Sequence, residues 1–103
     1  MDEEKYNSIV KPVELIGDTW SLLIIHTLLE GPKRFNELKN EIGNISNRTL
    51  SAKLKHLSLQ GVLERQVLEG NPPSVQYYLT PLGKGIKPIL VAIEDFGGKF
   101  FCE

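Results

Sequence analysis

The chain has one cysteine in 103 residues, Cys102, one position before the end. A single thiol excludes an intramolecular disulfide framework and any zinc site built on several cysteines. Long apolar runs are missing as well: stretches such as Leu22 to Ile25 fall far short of the roughly 18 residues that a membrane span requires. The opening Met1-Asp2-Glu3-Glu4 is acidic and lacks the basic start and apolar core of a secretory signal. The protein is therefore expected in the cytoplasm, with no membrane partner. No internal repeat, glycine-rich phosphate loop, serine-centred elbow or paired-carboxylate motif is present. His26 and His56 lie on different segments, and nothing around them has the spacing of metal ligands. These absences point away from an enzyme and imply no cofactor and no metal. His26 is expected to be a packed, hydrogen-bonded core residue, and Cys102 an inert terminal thiol.

What is present is an ordinary globular composition, 41% hydrophobic and 24% charged, close to the soluble average. The length suits one domain spanning residues 1–103. The formal net charge of −1 speaks weakly against nucleic acid, but its distribution speaks for it. Residues 1–32 carry a net −4, residues 33–65 a net +4 and residues 66–103 a net −1. A local basic face, not the total, is what DNA requires.

Periodicity and punctuation divide the chain into short elements. Ile9, Val13 and Ile16 share one face of a helix over 5–16, interrupted by Pro12 and ended by Gly17. Asp18 has the chemistry of an N-cap for the next helix, which is apolar on nearly every side and should be central and buried. Gly31-Pro32 stops it. Phe35, Leu38 and Ile42 mark a helix over about 35–42, Gly43-Asn44-Ile45 a tight turn, and Ser46 the cap of a helix running to about Gln60. The segments 62–69 and 75–80 read as two strands joined by a Gly70-Asn71-Pro72-Pro73 tip. Thr80-Pro81 starts a last helix, which Pro88 should kink or divide and Gly97-Gly98 should weaken near its end. The fold is thus mainly α with a small β-hairpin. Two short helices around a tight turn, followed at once by a hairpin, is the winged helix-turn-helix order.

The functional argument rests on the helix after Ser46. With Leu50, Leu54 and Leu57 facing the core, Arg48, Ser51 and Lys55 fall on the opposite side, with Ala52 between them. Arg can make two hydrogen bonds to guanine, Lys reaches guanine or phosphate, and Ser and Ala let the backbone approach base edges. Asn47 suits an adenine or a phosphate, and Ser46 sits at a helix N-terminus that favours phosphate. Asn47, Arg48, Ser51 and Lys55 are therefore the expected base-reading set. Lys33, Arg34, Ser46, Lys53 and Arg65 are the expected phosphate contacts. The same residue types also suit an ordinary solvated face, and the alternative function is a winged-helix protein-interaction module without DNA. Such a module would tend to present apolar or acidic residues where this chain has Arg48 and Lys55.

Several separated segments carry a resemblance: Leu15-Ile-Gly-Asp-Thr-Trp20, Gly31-Pro-Lys-Arg-Phe-Asn-Glu-Leu38, Ile45-Ser46 and Pro72-Pro-Ser-Val-Gln-Tyr-Tyr-Leu-Thr-Pro-Leu-Gly83. In this order, over about residues 7–100, they closely resemble the HxlR-type winged-helix regulators, relatives of the MarR-like group. The resemblance implies a sequence-specific transcriptional regulator that binds a roughly palindromic operator in double-stranded DNA as a homodimer. It implies a helix-turn-helix over about 34–60, a wing over about 62–80, and a C-terminal dimer helix over about 81–101 that pairs with the first helix. The apolar stripe of the last helix, led by Phe96 and Phe100, has little core left to cover. With it, the expected dimer interface is Ile9, Val13, Ile86, Ile89, Ile93, Phe96 and Phe100.

Three departures bear on function. Many relatives carry a redox-sensing cysteine just ahead of the first helix, a position that falls near Asn7, so thiol sensing of that kind should be absent. Relatives often place Arg in the wing where this chain has Ser74, which removes a minor-groove contact. Asp18-Thr19 replaces a common Gly-Lys and is read as a change of cap without functional meaning. No polar cluster marks an effector site.

Overall fold

Pro12 shapes the first element. The computed structural model describes residues 1–102 and opens with a helical run whose middle is widened: α1 (Glu3–Lys5), a π turn (Tyr6–Val10) and α2 (Lys11–Ile16). Proline has no N–H to give, and its ring crowds the carbonyl four residues back. One wider turn, in which the Lys11 N–H reaches the Tyr6 carbonyl, accommodates it without ending the helix. Next comes α3 (Thr19–Leu28), capped by Asp18, whose carboxylate accepts the Ser21 N–H at 3.0 Å and the Ser21 hydroxyl at 2.6 Å. That bond is what permits Ser21 to be fully buried.

The rest of the chain runs β1 (Lys33–Arg34), α4 (Phe35–Ile42), α5 (Asn47–Leu59), β2 (Leu63–Leu68), β3 (Ser74–Leu79), α6 (Pro81–Lys84) and α7 (Lys87–Phe100). The expected hairpin is present, with Leu63 opposite Leu79 and Leu68 opposite Ser74. It belongs to a three-stranded antiparallel sheet, because β1 adds to β3 with Lys33 opposite Tyr77. Two residues are too few for an alternation to show, so this strand was not visible as a sequence pattern. The last helix is divided, as Pro88 suggested, but the break falls at Gly85-Ile86. Pro88 itself sits in the first turn of α7, where a missing N–H leaves no intrahelical bond unmade. Gly97-Gly98 does not end the helix, which continues to Phe100.

One core joins these elements. Ile24, Ile25 and Leu28 of α3 meet Leu38 of α4 and Leu50, Leu54 and Leu57 of α5, with Val62, Leu63 and Leu79 closing it from the sheet. Helix α3 is central, yet not buried on all sides. Leu23 is 41% exposed, and His26 corrects its expected place in the core. It lies at the surface, where Nε2 is 3.1 Å from a Glu94 carboxylate oxygen on α7. The helix buries the face that meets α4, α5 and the sheet, and His26 falls outside it.

The chain turns from recognition unit to wing to C-terminal arm around a single peptide group, Val62. Its N–H donates to the Leu57 carbonyl at 2.9 Å, and its carbonyl accepts the Thr80 N–H at 3.1 Å. The Thr80 hydroxyl lies 2.5 Å from the Gly61 carbonyl oxygen and 3.0 Å from that of Val62, and accepts the Gly83 N–H at 3.2 Å as the cap of α6. Gly83 is buried so closely here that a Cβ would fall 2.2 Å from the Val62 carbonyl oxygen. Gly83→Ala is therefore expected to destabilise the protein by about 1–3 kcal/mol, as overpacking of a core does, read as a lower urea midpoint with an unchanged slope.

Candidate nucleic-acid interface

The tight turn between α4 and α5 is held on both sides. Gly43 has a φ of 94°, which a side chain would resist, and the Ile45 N–H closes on the Gly43 carbonyl at 2.7 Å. Lys39 reaches from α4 to donate to the Ile45 carbonyl at 3.2 Å, while the Ile45 side chain is buried. At the start of α4 the Glu37 carboxylate accepts the Arg34 N–H at 2.8 Å, and at the start of α5 the Ser46 hydroxyl accepts the Thr49 N–H at 3.1 Å. Both helices are thus capped and their crossing is fixed before any partner arrives.

The helix α5 divides as its periodicity requires. Leu50, Leu54 and Leu57 are buried, whereas Asn47, Arg48, Ser51, Ala52 and Lys55 are all exposed. Ser46 is exposed too, with its hydroxyl engaged in the cap and donating to the Thr49 hydroxyl oxygen at 3.0 Å. Arg34 and Arg65 are exposed on the two outer strands, β1 and β2, beside adjacent positions of β3. Arg65 shares the sheet face of Leu63 and Tyr77, so it emerges where the core face runs out.

Two of the expected phosphate contacts are occupied otherwise. The Lys33 ammonium lies 2.9 Å from Glu41 and 3.6 Å from Glu30, with its side chain only 15% exposed. The hydrogen bond to Glu41, opposed by desolvation and aided by both acids' charge, raises its pKa above the ordinary 10.5. Its charge ties β1 to α4 rather than facing outward. Lys53 is half-buried, with Nζ 3.3 Å from an Asp18 carboxylate oxygen. Asp18 is therefore more than a change of cap: it holds the recognition helix to the first turn of α3. Sequence reasoning missed this pair, since Asp18 and Lys53 are distant in the chain and both have sufficient local explanations. It also missed the bond from Lys39 to the turn, for Lys39 lies on the outward side of its helix.

Of the apolar residues assigned to a dimer, Ile9, Val13, Ile89, Ile93, Phe96 and Phe100 are exposed. Ile86 is not: it is 6% exposed and belongs to the chain's own core. The α6–α7 break places it at an inward corner that an unbroken helix would not have made.

A capped helix-turn-helix with a basic outward face, leading into a three-stranded sheet and hairpin, defines a winged helix-turn-helix DNA-binding protein. A model of the HxlR-like helix-turn-helix family matches residues 15–103. The chain belongs to that family, and it is a transcriptional regulator of the helix-turn-helix type. It is 41% identical over 86 residues to the helix-turn-helix-type regulator YvaP of Bacillus subtilis, covering 84% of this chain and 80% of that protein. It is 39% identical over 89 residues to the regulator YodB of the same organism, covering 86% and 79%. The structure of reduced YodB superposes with a TM-score of 0.81 at 34% identity, covering 98% of this chain and 95% of that one. The redox regulator HypR in its oxidized form superposes at 0.85 with 29% identity, covering 89% and 95%. Asn7 stands in the π turn, and Cys102 is exposed past the end of α7. Among the described residues, no helix is long and apolar enough to cross a membrane.

Partial burial acts to raise the Asp18 pKa, but the Ser21 hydroxyl, the Ser21 N–H and then Lys53 outweigh it and hold the carboxyl below its ordinary 3.8. A depressed carboxyl adds stability above its unfolded value and loses it as pH falls through the folded one. Asp18→Ala should therefore cost about 1 kcal/mol at neutral pH, as a lost cap does. The gap between variant and wild type in urea unfolding should close as pH falls below 3.8.

Proposed function

We propose that this regulator works in the cytoplasm as a homodimer that reads a palindromic operator in double-stranded DNA, without catalytic activity of its own. The observation that carries the reading is the outward face of α5, where Asn47, Arg48, Ser51 and Lys55 stand exposed around Ala52 on a helix capped at its start. Arg48 and Lys55 supply donors for guanine edges, Asn47 for adenine, and Ser51 and Ala52 the close approach. Arg34 and Arg65, flanking the sheet, hold phosphates together with the N-terminus of α5 at Ser46. Lys53 can join them only by leaving Asp18, and Lys33 is retained by its two carboxylates. Contacts of the second kind set affinity and its salt dependence, and those of the first kind set sequence preference.

The dimer is supported by surface area. The chain exposes 7369 Å², whereas a compact monomer of its 11.6 kDa would expose about 5,800 Å². On the arms, Ile9, Val13, Ile89, Ile93, Phe96 and Phe100 are each 44% exposed or more. A second copy covering these residues removes a large apolar patch of the kind that monomers seldom show. The reading requires that the two recognition helices of such a dimer meet successive major grooves, which lie about 34–36 Å apart.

Two measurements test this. In binding to an operator selected from a random duplex library, Arg48→Ala should cost about 1–3 kcal/mol and relax preference at one base position. Unchanged base preference would remove Arg48 from the reading set. Ile93→Asp should convert the protein from dimer to monomer in sedimentation at micromolar concentration, and a wild type that already sediments as a monomer would end the dimer reading.

A further inference from the structure

The geometry points to a binding site for a small apolar carboxylate on the outer face of the wing. A hollow of about 660 Å³ lies where the end of α3 and the Gly31-Pro32 turn meet the wing and the α6–α7 corner. That volume falls in the range of small-molecule sites, about 300–1,000 Å³. Its floor is apolar and rigid: Leu28 and Leu79 are core residues, only 3% and 4% exposed, and Leu29 packs against the same core. Its rim carries two ammonium groups, Lys84 at the end of α6 and Lys87 at the start of α7.

These two lysines differ from Lys33 and Lys53. Among the described residues neither has a carboxylate within 4.0 Å, although the chain as a whole carries more acids than bases. The other polar groups of the lining are engaged across the hairpin. The Tyr78 hydroxyl donates to Glu64 at 2.5 Å, so it has no hydrogen left to offer a ligand and presents its ring as a wall. The Gln66 carbonyl accepts from Gln76 at 3.3 Å, which leaves its amide hydrogens as donors. Two unpaired cations and an amide donor above three leucines suit one carboxylate on an apolar body. A bare inorganic anion would leave the floor uncovered, and a neutral apolar ligand would leave the ammonium groups unmet. The hollow touches both the wing and the corner from which α7 departs, so an occupant bears on the DNA-reading unit and the dimer arm together. This coupling rests on the DNA-binding function, whereas the binding itself does not.

The test is calorimetry of the whole chain with β-naphthoate, first without DNA. We expect saturable binding at one molecule per chain. It should weaken about tenfold or more in Lys84→Gln/Lys87→Gln, since charge-assisted contacts are lost, and be retained in Lys84→Arg/Lys87→Arg. The neutral β-naphthamide should bind at least tenfold less well. No saturable binding, equal binding of the amide, or an unaffected glutamine variant with an unchanged melting curve would overturn the site. In the DNA arm, β-naphthoate should shift operator affinity in the wild type and not in the glutamine variant. Binding without that shift would overturn the coupling alone. Loss of operator affinity in the glutamine variant with no naphthoate binding would make the lysines DNA contacts instead.

Discussion

The structure depends on one backbone carbonyl. Val62 ends the recognition unit, begins the wing and receives the cap of the C-terminal arm, so three functional parts share a single hydrogen-bonding knot. Its N–H is tied to Leu57, at the end of the recognition helix, and its carbonyl to Thr80, at the end of the hairpin. Gly83 must lack a side chain for the arm to come this near. The side chain of Val62 is itself fully buried, so the knot is set in the core and its bonds are shielded from water. Rotating any one of the three parts would break bonds made by the other two.

Around that knot the charges divide into two populations. Lys33, Lys39 and Lys53 are spent internally, on Glu41 and Glu30, on the Ile45 carbonyl and on Asp18. Arg34, Arg48, Lys55 and Arg65 are exposed to solvent. A chain with a net charge of −1 can thus still present a basic face, because its charge is unevenly distributed: residues 33–65 carry a net +4 and residues 1–32 a net −4. The internal pairs are partly exposed, and each adds little to stability on its own. Their effect is to orient: each joins two elements that the helix-turn-helix needs in register.

Most of this architecture was legible in the residues. The caps at Asp18, Ser46 and Thr80, the glycine turn, and the 3.6-residue stripe of Leu50, Leu54 and Leu57 are local signals, and the elements follow them closely. What was hidden is what distance in the chain hides. A two-residue strand has no period, and Ile86 looked like one more member of an exposed stripe until the break at Gly85 turned it inward. His26 sat in an apolar run that offered no sign of which face would be left open. The exposed face of α5 could be read because it is local to one helix. The fate of each lysine could not, because it depends on which acids the fold brings near.

The tip of the hairpin has a further consequence. Between Leu68 and Ser74 the chain passes through Pro72 and Pro73 in succession, and each ring fixes one backbone torsion. A loop of this kind has few shapes to surrender when it is laid against a surface, so the entropy of ordering it is small from the outset. The wing carries no arginine at Ser74, and its tip offers Glu69 in place of a cation. A stiff tip without a cation of its own suits a strut that sets the tilt of the wing, with the hairpin's one arginine, Arg65, set back from the tip on its first strand.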